Sequence, residues 1–117
     1  MTTETMTPIA LYDWYEKGLH ACRSKNFIFA EKAFNKAIES NPRDASAYYW
    51  RAFVHKNTNN FEKSIADYNR AIEISPHTAR FYLKRGNAYC KLKQYQLASD
   101  DFTEVIRMEP ANAEARF

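Results

Sequence analysis

Apolar residues recur along this chain at helical spacing, in two runs that return after a fixed interval. Leu11, Trp14, Gly18 and Ala21 step by three or four residues, and after a polar break so do Phe27, Ala30, Phe34, Ala37 and Ile38. Steps of that size put side chains on one face of an α-helix. The runs recur 34 residues later and again after another 34: Trp14 is followed by Tyr48 and Tyr82, Gly18 by Ala52 and Gly86, Phe27 by Phe61 and Tyr95. Ala30, Ser64 and Ala98 keep the same register, as do Phe34, Tyr68 and Phe102; Ala37, Ala71 and Val105; Ile38, Ile72 and Ile106; and Pro42, Pro76 and Pro110. No insertion or deletion disturbs these columns. A period in the 20–50 range marks a stack of small units, each burying its apolar face against its neighbours.

Polar punctuation divides each period into two helices. Ser24-Lys25-Asn26, Thr58-Asn59-Asn60 and Lys93-Gln94 separate the runs, and Asn59 accepts a left-handed backbone more readily than most residues. Each second run ends at Asn41-Pro42, Ser75-Pro76 or Glu109-Pro110, where proline cannot continue a helix. The expected elements are helices near 8–24, 28–40, 45–58, 62–74, 79–92 and 96–109, an all-α stack of three hairpins without strands. Thr7-Pro8 reads as a cap followed by a first-turn proline, which leaves 1–7 as a flexible lead. The small pairs Gly18 with Ala30, Ala52 with Ser64 and Gly86 with Ala98 are expected to let the two helices of a hairpin approach closely.

These columns resemble the tetratricopeptide repeat, a 34-residue helix–turn–helix. The resemblance spans three repeats, 11–44, 45–78 and 79–112, within a domain of 8–112; residues 113–117 read as the start of a fourth repeat, with more chain expected after 117. Departures are local. Ala21 and His55 stand where the family favours tyrosine, as Tyr89 does; no glycine occupies the inner turns; Val105 replaces an alanine. The resemblance implies a right-handed superhelix whose concave groove is lined by the first helix of every repeat, and a role in binding protein segments.

Composition narrows the rest. A formal net charge of +3, with 17 basic and 14 acidic residues interspersed along the chain, argues against a nucleic-acid binder. No run reaches the roughly 18 apolar residues of a membrane span, and the first ten residues lack a secretory pattern, so a cytoplasmic setting is expected. Cys22 and Cys90 lie two full periods apart, too far for one disulfide in a stack, and free thiols fit a reducing compartment. His20 and Cys22 are two apart and face different ways on a helix, and no phosphate loop, serine elbow or paired-cysteine motif occurs. No catalytic residue, metal or cofactor is therefore expected.

Binding chemistry does stand out. On the groove side of the first helices, geometry expects Tyr12, Tyr15, Glu16, Leu19 and Arg23, then Ser46, Tyr49, Trp50, Phe53 and Asn57, then Arg80, Leu83, Lys84, Asn87 and Lys91. Tyr12, Tyr15, Tyr49, Trp50 and Phe53 lie outside the framework columns, and an aromatic patch of this kind suits partner binding. Arg80, Lys84 and Lys91 form a basic strip suited to an acidic segment. The expected ligand is thus a peptide or helix with acidic and apolar residues. A contrasting reading is a structural element that docks on its own protein or on a second copy through the open C-terminal face. The family's carboxylate clamp for chaperone tails is incomplete: Arg80 and Lys84 match it, but Tyr15, Leu19 and Trp50 replace its lysine and two asparagines.

Overall fold

In the computed structural model the backbone is described for residues 3–109 and side chains for residues 13–109. Six helices follow in order: α1 Thr3–Arg23, α2 Phe27–Ser40, α3 Ala45–Asn57, α4 Phe61–Ile74, α5 Ala79–Lys91 and α6 Tyr95–Met108. They pair as hairpins α1–α2, α3–α4 and α5–α6, and successive hairpins meet through α2–α3 and α4–α5. No strand occurs among the described residues. The radius of gyration is 15.7 Å, against about 13 Å for a compact domain of this length, so the hairpins stack in a line. One boundary departs from expectation. Helix α1 begins at Thr3, upstream of Thr7-Pro8, so that pair is not its cap; Glu4 and Met6 are good helix formers and carry the helix past the one hydrogen bond that proline removes.

The inner turns are built three times in the same way. Lys25, Asn59 and Lys93 all take left-handed backbone angles, with φ of 62°, 60° and 61°. The next amide then bonds five residues back, Asn26 to Ala21 and Asn60 to His55 at 2.8 Å, and Gln94 to Tyr89 at 2.9 Å. This closure satisfies carbonyls that a helix end leaves open. Asn26 and Asn60 also cap the following helix by accepting from the amides of Phe29 and Lys63, which Gln94 does not do. The outer turns use tyrosine: Tyr48 Oη donates to the Pro42 carbonyl (3.1 Å) and Tyr82 Oη to that of Pro76 (3.0 Å).

Inside the hairpins, the glycines answer to aromatic rings. A Cβ on Gly18 would stand 2.5 Å from the Phe34 ring, and one on Gly86 would stand 2.6 Å from Phe102. The closest neighbour is therefore the ring, not Ala30 or Ala98 as the small-residue pairing suggests. The middle pair does meet directly, since Ser64 Oγ donates to the Ala52 carbonyl at 2.8 Å. Phe34 and Tyr68 are fully buried, whereas Phe102, in the last described hairpin, is half-buried.

A polar joint, absent from the sequence reading, links successive hairpins. Arg51 on α3 makes a two-pronged contact with Asp67 on α4 (2.8 and 2.7 Å) and donates to Asn35 on α2 (2.9 Å). One period later Arg85 does the same with Asp101 (2.9 and 2.6 Å) and Asn69 (2.8 Å). Planar guanidinium matches carboxylate geometry and keeps a donor for the amide. Lys17 holds the equivalent place in the first hairpin, where Ala33 replaces the aspartate, and it pairs with Asp13 instead (3.0 Å).

The inner face as candidate binding site

Helix α1 touches α3 directly as well as α2, so the first helices line the inner side of the stack. Two clefts open there. One, of about 360 Å³, lies between α1 and α3 and is lined by Leu19, Cys22, Arg23, Trp50 and Phe53. The other, of about 790 Å³, runs from α3 to α5 and the last hairpin, past Ser46, Tyr49, Trp50, Arg80, Leu83 and Lys84. Trp50 is the wall common to both.

The expected site residues divide into three groups. Tyr15, Leu19, Trp50 and Phe53 are half-buried and packed together. Trp50 meets Phe53 edge-on at 5.4 Å, and Phe53 rests on Phe27 of α2 at 6.5 Å. Burial, and then the nearby Asp44 carboxylate, hold the Tyr15 phenol above its ordinary pKa. Tyr49 belongs elsewhere. Only 8% exposed, it sits among Tyr68, Phe81 and Trp50, with the Phe81 ring 5.3 Å away. Its ring is core, although the residue also lines the larger cleft; burial raises its pKa and the Arg80 charge opposes that. Arg80, Asn87 and Lys91 are exposed and Lys84 is half-buried, all on α5. The Tyr12 side chain and residues 113–117 lie outside the described residues.

Charge is sorted by helix in a way that overall composition hides. Helices α3 and α5 contain no Asp or Glu, but carry Arg51, Lys56, Arg80, Lys84, Arg85 and Lys91. Helices α4 and α6 hold the acids Glu62, Asp67, Glu73, Asp100, Asp101 and Glu104, mixed with the bases Lys63, Arg70 and Arg107. Helix α3 adds a further cation on this side, Lys56, which lies 5.0 Å over the Phe53 ring. Reading acids and bases helix by helix, instead of along the whole chain, would have found it. Cys22 lines the smaller cleft as a thiol: burial pushes its pKa up to about 11, against a lowering by Arg23. Among the described residues no group of three or more His, Cys, Asp or Glu is placed to hold a metal ion. None of the described helices is long and apolar enough to cross a membrane.

A line of helix hairpins with clefts between their first helices defines a helical-repeat interaction module. Models of the tetratricopeptide repeat match residues 33–66 and 79–112, and a TPR-repeat model matches residues 57–93. The chain belongs to the tetratricopeptide-repeat family. Its fold is similar to that of the Arabidopsis OM64 TPR domain, with a TM-score of 0.86 and 29% identity over 94% of this chain and 91% of that one. The TPR2B domain of yeast Sti1, solved as a pHsp70 complex, gives 0.85 and 25% over 92% and 89%. The first TPR of Spaghetti (RPAP3), bound to HSP90 peptide SRMEEVD, gives 0.83 and 23% over 91% and 87%. No match to a curated protein was found.

Proposed function

We propose that this protein is a scaffold or adaptor module that holds a peptide segment or helix of a partner along its inner face. Tyr15, Leu19, Trp50 and Phe53 supply an apolar floor, and Arg80, Lys84 and Lys91 a basic margin. The supporting observation is Trp50, a half-buried ring shared by two clefts and outside every framework column. Large aromatics at the centre of a partly open surface are the usual anchors of binding energy. The likeness to the Sti1 domain, solved with a protein ligand, supports a protein partner. The groove nevertheless lacks the donors for a chaperone-type terminal carboxylate, because Tyr15, Leu19 and Trp50 occupy those places. The role is binding without catalysis, and the free thiols of Cys22 and Cys90 suit a reducing, intracellular setting.

Trp50→Ala tests this. In an affinity pull-down, partners captured by the wild type should be lost from the variant, with binding weakened by about 2 kcal/mol or more. Circular dichroism should show that the helices persist. Loss of the fold in Trp50→Ala would assign the ring to the core and remove the anchor. A second reading rests on the last hairpin, where Tyr95 is 62% and Ile106 44% exposed while their counterparts Phe61 and Ile72 are half-buried. That face would then join a second copy. Light scattering over a dilution series separates the readings, since a constant monomer mass excludes the second.

A further inference from the structure

Independently of the groove reading, we propose that the edge of the stack formed by the three inner turns docks on a negatively charged lipid surface, with Ile28, Phe29 and Leu97 entering it. Short turns reverse the chain between all six helices, so every inner turn opens on one edge and every outer turn on the other. Within three residues of the inner turns stand the bases Arg23, Lys25, Lys56, Lys63, Lys91 and Lys93 and a single acid, Glu62. Around the outer turns the charges nearly cancel, with Glu39, Asp44, Glu73 and Glu109 against Arg43, Arg80 and Arg107. Among the described residues none of the six inner-edge bases is in an ion pair.

Exposed apolar side chains fall on the same edge. Ile28 is 76% exposed and Phe29 38%, side by side in the first turn of α2, and Leu97, 46% exposed, stands in the first turn of α6. In the middle repeat the equivalent places hold Glu62 and Lys63, so the fold does not call for apolar residues there. Tyr95 is not counted with them, because its counterparts Phe27 and Phe61 are half-buried in the stack. Apolar tips among lysines suit a bilayer surface. The apolar groups sink into the headgroup boundary while the ammonium groups stay at its charged face.

The occupant is lipid, not a protein or a nucleic acid. A protein interface is built around a contiguous apolar centre, whereas the polar turn Thr58-Asn59-Asn60 separates the apolar points at the first and third turns. Single-stranded nucleic acid is held by stacking on rings, and Ile28 and Leu97 offer none. A bilayer surface takes separate insertions and attracts each nearby base by its own charge. Acids on the far edge do not cancel that attraction. Helices of 13 and 14 residues hold the two edges about 20 Å apart, well beyond a screening length of about 8 Å. None of the described helices can span the bilayer, so the contact is peripheral. The larger cleft, lined by Ser46, Thr78 and Arg80, lies toward the outer turns and stays open.

Co-sedimentation of the whole chain with two kinds of vesicle tests the proposal: phosphatidylcholine alone, and phosphatidylcholine with phosphatidylserine in equal parts. The anionic vesicles should bind about tenfold or more tightly, because each base near such a surface adds about fivefold. Lys25→Asn, Lys93→Asn should lower that binding about tenfold or more. Asparagine suits the left-handed backbone of both turns, as at Asn59, so circular dichroism should show the fold unchanged. Ile28→Gln, Phe29→Gln, Leu97→Gln should also weaken binding about tenfold, through lost insertion. In the unmodified protein, anionic vesicles should slow hydrogen exchange across 23–29 and 91–97 and leave the outer turns 41–44 and 75–78 unaffected. Equal binding to both vesicles, binding that survives either variant, or slowing at the outer turns overturns the proposal. So does polyglutamate or oligo-dT that protects the inner turns equally in the wild type and the glutamine variant, which would make this edge a general polyanion surface.

Discussion

Single residues decide how close the helices come. Gly18 is pressed by a Phe34 ring that is itself fully buried and has nowhere to move. Gly18→Ala would gain about 1 kcal/mol of helix propensity, but overpacking of a tight core costs about 1–3 kcal/mol. At Gly86 the opposing Phe102 is half-buried and can swing outward. Urea denaturation should therefore show a lower midpoint for Gly18→Ala and a milder change for Gly86→Ala; equal or raised stability in Gly18→Ala would contradict the packing. The 34-residue columns announced both glycines, but not their neighbours. They announced a face of α3 as well, and there Tyr49, though it lines the larger cleft, is more buried than its helical phase suggests, for an identifiable reason. The position that covers it holds Phe81 in the third repeat and only Ala47 in the second. Helical phase alone cannot say that one large side chain from the next hairpin will seal a residue off.

Between elements, the polar joints do what the apolar columns cannot, which is to fix one hairpin against the next in a single register. Asp67 has only 8% of its side chain exposed, so it depends on Arg51. Arg51→Met should cost about 3–5 kcal/mol, because it strands a buried carboxylate. The double variant Arg51→Met, Asp67→Leu should recover most of that loss, and a double-mutant cycle in urea measures the coupling. Additive losses would mean that the pair is incidental. Arg51 with Arg85, Asp67 with Asp101 and Asn35 with Asn69 were legible as columns, yet polar columns read as surface until the geometry shows them meeting. The same joint carries a pH dependence through His55, whose Nε2 lies 3.6 Å from Asp67. Burial lowers the pKa of His55, with Arg51 and Lys63 adding to that and Asp67 and Glu31 opposing it. The unfolded chain therefore binds its proton first. The stability tied to neutral His55 is complete above its ordinary pKa of about 6.5 and is lost as pH falls through that value toward the lower folded one. Denaturation midpoints at pH 7.5 and 5.5 should fall more steeply for the wild type than for His55→Gln; identical slopes would refute the assignment.

At the scale of the molecule, the inner face is not a property of any one hairpin. Its floor joins α1 to α3, its basic margin lies on α5, and it exists only while the hairpins remain stacked. In such arrays stability is close to a sum of unit and interface terms, so position along the line matters as much as burial. Tyr68 is 1% exposed and belongs to the cluster that joins α3 and α4 to Phe81 and Ala88 of α5. Tyr68→Ala should cost about 3–5 kcal/mol, a large part of the roughly 5–15 kcal/mol that holds a domain together. Phe102→Ala removes a ring from the same column, but one that is half-buried and has no further described hairpin beyond it. Its cost should be smaller, and hydrogen exchange should quicken in α5 and α6 while α1 and α2 stay protected. The Trp50 indole cross-peak links this to function: it should hold its position in Phe102→Ala and collapse in Tyr68→Ala. If both variants lose the same stability and both disturb Trp50, the chain folds as one cooperative block, and the groove is not assembled hairpin by hairpin.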